Sequence, residues 1–174
     1  MQDRDVRRRH LGVARALLAE LRRVSGELGA ENEAFIESTI NGAQTVVPQL
    51  ASWTESLLTD FASTDPHLLP GFMNLNRFLH NVSVQRESLT RARKHLAEQE
   101  RFAEALESGD DITASAKFGL VLKEAGHSVE LAVFTLNSSF GYAKREIAAL
   151  IVALQDVEQR LTSGPFTHLP WNRT

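Results

Sequence analysis

Val129, Val133, Leu136, Phe140, Ala143, Ile147, Leu150, Leu154, Val157 and Leu161 follow one another at alternating gaps of four and three without a slip. An apolar group every 3.5 residues keeps to one side of an α-helix, whereas a strand would need one every second residue. The spacing predicts one helix from about Asp111 to Thr162. At about 1.5 Å per residue it would run roughly 75 Å. A stripe of that length cannot be buried by the helix that carries it, so other helices must cover it. A second stripe, Phe118, Leu131, Phe134, Tyr142, Ala149 and Val152, widens the apolar face and predicts burial on two sides, as in a bundle. Asp110 or Asp111 suits the N-terminal cap, and Ser163-Gly164-Pro165 suits the end. Gly119, Gly126 and Gly141 are weak points where a bend is expected.

The preceding segment, about Phe72 to Glu107, carries Leu75, Leu79, Val82, Leu89, Leu96, Ala103 and Leu106 at heptad-like spacing, with Gln85 or Arg86, Ala92 and Gln99 in the slots between. Ser108-Gly109-Asp110 is a short connector, so this helix and the last should form an antiparallel hairpin. Val6, Val13, Leu17, Leu21, Val24 and Leu28 mark a first helix from about Arg4 to Leu28, with Gly26 and Gly29 threatening its end. Ile36, Ile40, Ala43, Val47, Leu50, Leu57 and Phe61 mark a second. Asn41-Gly42 and Pro48 predict a kink or break there between about Asn41 and Val47, with Pro48 in the first turn of the restart. Ser63 to Gly71 is the longest loop signal, and Asp65-Pro66 suits the start of a helical turn.

These readings give an all-α fold: an elongated antiparallel bundle of four principal helices, the second broken at Pro48. A single domain over residues 1–164 and an irregular tail over 165–174 are expected. Phe166, Leu169 and Trp171 suggest that this tail folds back onto the bundle.

The composition fits such a core, with 43% hydrophobic and 24% charged residues among 174. No Cys is present, which removes disulfides, thiolate metal sites and cysteine nucleophiles and suits a reducing cytoplasm. The start has no apolar signal region, and the most apolar run, Ile147 to Leu154, is far short of the roughly 20 residues of a membrane span. The net charge of −3 disfavours nucleic acid as a partner. Charge is unevenly spread: residues 1–28 are net +3, and residues 29–70 hold six acids and no Lys or Arg. The ordinary reading sets the basic first helix against the acidic second; the sharper one gives the acidic segment a basic partner.

Chemical motifs are sparse. Glu124 and His127 form one Glu-x-x-His pair, the half-site of a di-metal bundle, and no second pair exists to complete it; no metal or cofactor is therefore expected. Phe78-Leu79-His80-Asn81-Val82-Ser83 resembles the start of the phospho-acceptor box of sensor histidine kinases, but Val84 stands where that family has its phosphorylated His, and no Pro follows. His80 and His95 read as polar positions on a charged helix. No nucleophile elbow or phosphate-cradling loop is present, so an enzyme is not expected. Trp53 and Trp171 are large groups able to anchor an interface, and Arg91, Arg93 and Lys94 form a short basic run open to an acidic partner. The expected function is helix-mediated protein interaction or self-assembly. Two alternatives stand beside it: a bundle holding a small molecule where the glycines of the last helix make room, and an amphipathic bundle acting on membranes.

Overall fold

The computed structural model of the chain describes residues 2–37, 47–61, 65–107 and 112–163. These form four helices in the order α1 (Gln2–Glu37), α2 (Trp53–Phe61), α3 (Leu68–Glu107) and α4 (Ile112–Thr162), and no strand is found among the described residues. The fold class is all-α, as the periodicity predicts.

Several helix ends differ from expectation. α1 runs through Gly26 and Gly29 to Glu37 instead of stopping near Leu28. A helical glycine costs only about 1 kcal/mol relative to Ala, and the burial of Leu17, Leu21, Val24 and Leu28 exceeds that at about 1.5–3 kcal/mol per side chain. The second pattern does not restart at Pro48. Residues 47–51 are non-helical, and α2 begins at Trp53. Ser52 directly before it and Glu55 in its first turn have the spacing of a capping box. The break expected between Asn41 and Val47 falls mostly outside the described residues. α3 starts at Leu68, four residues before Phe72, because Pro70 sits in the first turn, where an N–H has no helical partner to lose. α4 is continuous across its glycines and ends where expected. The Ser108 connector, the Asp110 or Asp111 cap and the tail lie outside the described residues.

The chain divides into two compact units. Unit 1 comprises residues 1–29, 48–77 and 143–174; unit 2 comprises residues 30–47 and 78–142. In unit 1, Leu17, Leu21 and Leu28 of α1, Phe61 of α2, Phe72 and Leu75 of α3, and Ile147 and Leu154 of α4 are essentially inaccessible. Of the apolar run Ile147 to Leu154, Ile147, Leu150 and Leu154 are buried, whereas Val152 is 66% exposed. Arg7 of α1 donates from Nε to the Leu161 carbonyl at 2.5 Å, filling one of the carbonyls left open at the end of α4. Arg15 pairs with Glu158 at 2.7 Å, and Arg160 with Asp65 at 2.8 Å. Arg15 of α1 thus meets a carboxylate on α4, and Arg23 meets Glu20 and Glu27 on α1 itself.

Unit 2 is built on the hairpin of α3 and α4. Phe78 stacks on Tyr142 with ring centroids 5.8 Å apart, and the Thr135 hydroxyl oxygen lies 3.2 Å from the Gln85 side-chain amide. Seven residues forward on α3 therefore match seven back on α4, as an antiparallel heptad pairing requires. Leu79, Val82, Leu89 and Leu136 are buried along the seam, joined by Ala125 and Ala132. Arg86 fills the slot between Val82 and Leu89 and is itself buried.

Candidate functional site

The second stripe of α4 is where the structure departs most from expectation. Predicted to be buried, it is open: Leu131 is 55%, Phe134 68% and Tyr142 52% exposed, and Leu120, three turns before Leu131, is 65% exposed. All four belong to unit 2. Between them on the same face stand Glu124, His127 and Ser138, each partly or fully exposed. The helix itself satisfies the hydroxyls of Ser128, Thr135 and Ser138 through the carbonyls four residues back. The face consequently offers apolar surface and few free polar groups. A methyl built on Gly119, Gly126 or Gly141 meets nothing within 4 Å.

A second feature lies in unit 1. Residues 50–52, α2 and the first turns of α3 enclose a half-open cleft of about 540 Å³. That volume falls in the range of small-molecule sites. Its buried floor is Thr54, Leu58 and Phe72; its exposed rim includes Ser52, Glu55, Ser56, Thr59, Met73 and Asn76. Glu55 is the only ionisable side chain among the described residues lining it.

One wall of the cleft is held by an acid that sequence reading passes over. Glu20 lies on the buried side of α1, 5% exposed. Its Oε1 accepts from the Ala51 backbone N–H at 2.7 Å. Arg23 donates to both its oxygens, Nε to Oε2 at 3.0 Å and Nη2 to Oε1 at 2.7 Å. Arg23 also reaches the Gln49 carbonyl at 2.8 Å and Glu27 at 2.6 Å. The non-helical segment 47–51 is thereby tied to α1 by charge-assisted bonds. The Arg23 guanidinium holds the Glu20 carboxyl below its ordinary pKa; burial opposes this, and the Ala51 N–H assists. Arg23 is in turn pushed up by its bonds to Glu20 and Glu27. The one signal in the sequence is a Glu placed among the apolar positions of α1, beside Leu17 and Leu21.

The other residues singled out by sequence stay apart. Glu124 and His127 are exposed on α4, and His127 lies 3.6 Å from Glu130. No group of three or more His, Asp or Glu able to hold a metal occurs among the described residues. Trp53 is 42% exposed at the start of α2. Arg91 and Lys94 are exposed and Arg93 half-buried on α3; His80 and His95 are exposed. Trp171 lies outside the described residues. No helix among the described residues is long and apolar enough to cross a membrane. Comparison with protein-family models, with curated proteins and with solved structures returns no match.

Proposed function

We propose that this protein is a non-enzymatic self-association module, in which two copies pair through the open face of α4 in unit 2. The carrying observation is the exposure of Leu120, Leu131, Phe134 and Tyr142 on one side of a single helix. Soluble chains seldom leave such an aligned apolar stripe without a use.

The spacing favours a second copy as occupant. Leu120, Leu131 and Tyr142 are eleven residues apart, about three turns, so they lie nearly in line. An antiparallel pairing with its two-fold axis at Leu131 sets Leu120 against the second copy's Tyr142 and Leu131 against its own equivalent. Phe134 then falls beside the second copy's His127 and Ser128, and Glu124 opposite its Ser138. The same patch serves both copies, as an isologous dimer requires. The absence of Cys fits work in the reducing cytoplasm, and the net charge of −3 fits a protein partner better than nucleic acid.

Sedimentation velocity over a hundredfold concentration range tests this reading. The chain should shift from monomer to dimer, and Leu131→Glu or Phe134→Glu should hold it monomeric with unchanged helicity. A chain that stays monomeric throughout, or variants that still dimerise, would overturn the proposal.

A further inference from the structure

Thr54 carries an anomaly that the self-association reading does not use. It is 2% exposed, and its hydroxyl has no hydrogen-bond partner. Other helical threonines solve this locally. Thr59, Thr90, Thr135 and Thr162 each donate to the carbonyl four residues back, at 2.9–3.0 Å. Thr54 cannot, because it is the second residue of α2. Four residues back is Leu50, outside the helix. An unpaired buried hydroxyl costs roughly 1–3 kcal/mol, and this one belongs to a residue in the floor of the cleft. Rotation about χ1 exchanges the hydroxyl with the methyl group, and helical Thr uses both rotamers.

We infer that the cleft beside α2 binds a small amphipathic molecule whose polar group pairs with the Thr54 hydroxyl and whose apolar body lies on Leu58 and Phe72. The lining fixes its charge class. Glu55 stands at the rim and no Lys or Arg lines the cleft among the described residues, so a neutral or cationic molecule fits and an anion does not. The Glu20 clamp on Ala51 pre-forms one wall, so little ordering is left for the ligand to impose.

Nile red, a neutral dye with a carbonyl acceptor, serves as the probe, with anionic anilinonaphthalene sulfonate as competitor, using the full chain. One saturable Nile red site per chain is expected, not displaced by the anion. Ser56→Trp, at an exposed rim position, should fill the cleft and weaken binding at least tenfold. Thr54→Val keeps the shape, removes the hydroxyl and should weaken it about five- to tenfold, the value of one hydrogen bond. Phe134→Glu, which breaks the proposed dimer face, should leave it within twofold. Binding that is absent, that survives Ser56→Trp or Thr54→Val, that is displaced by the anion, or that is lost with Phe134→Glu overturns the inference. The last outcome would assign the dye to the α4 face instead.

Discussion

Replacing Glu20 separates the parts of the clamp on segment 47–51. Glu20→Ala removes the acceptor of the Ala51 N–H, the partner of Arg23 and one buried methylene group. The part-buried N–H left without an acceptor costs about 1–2 kcal/mol. The methylene contributes about 0.8 kcal/mol. Arg23 contributes less than a buried ion would, because it is 41% exposed and regains water while keeping Glu27, so roughly 0.5 kcal/mol is assigned to it. The expected loss is about 3 kcal/mol. Glu20→Gln keeps the methylenes and a carbonyl oxygen for Ala51 and forfeits only the charge, so about 1 kcal/mol is expected.

Urea unfolding at neutral pH reads both values, as shifts of midpoint at constant slope. The pH dependence has a definite sign. Because the folded Glu20 carboxyl lies below its ordinary value, its ionised form stabilises the fold above the ordinary glutamate range. That contribution fades as the pH falls through this range and below it. The advantage of the parent chain over Glu20→Gln should shrink over that same fall. Equal losses for Ala and Gln, or a loss under about 0.5 kcal/mol for Ala, would refute the assignment of the Ala51 bond as the main term.

The two stripes of α4 should respond oppositely to truncation. Leu136→Ala, at a fully buried seam position, should cost about 2–5 kcal/mol, whereas Leu131→Ala on the open stripe should change monomer stability by less than about 0.5 kcal/mol; chemical denaturation below the dimerisation range measures both. Two helical glycines should also differ. Gly26→Ala, where an added methyl meets nothing within 4 Å, should raise stability by about 1 kcal/mol. Gly71→Ala should gain nothing or lose, because its methyl would lie 2.7 Å from Cδ2 of Leu150, a buried side chain with little room to turn; thermal unfolding of the pair decides it.

The sequence shows the seam residues because burial is periodic. Leu136, Ala143, Ile147, Leu150, Leu154 and Val157 are all buried. Helix ends are harder to read, because each is a balance of about 1 kcal/mol. Gly26 and Gly29 are local penalties overruled by distant packing, Pro70 is harmless only at its position in the first turn, and Pro48 lost the restart to Ser52 and Glu55. The roles of Glu20 and Thr54 are hard to read for a different reason. The part each plays depends on where segment 47–51 lies in space, which no periodicity encodes.

The open stripe marks a deeper limit of reading periodicity. An apolar face selected to be buried looks the same in sequence whether its cover comes from the same chain or from another copy. Length is the discriminating quantity. α4 has 51 residues and α2 nine, or about 75 Å against about 13 Å. α4 is longer than α1, α2 or α3, so no other single helix of the chain can follow it along its whole length. Folding can therefore satisfy the first stripe of α4 and still leave Leu120, Leu131, Phe134 and Tyr142 in water. Association then buries what folding leaves open. If the second stripe belonged to the fold, Phe134→Glu would cost several kcal/mol in a monomer; if it belongs to a dimer, the same change leaves the monomer intact and removes only the concentration dependence of its sedimentation.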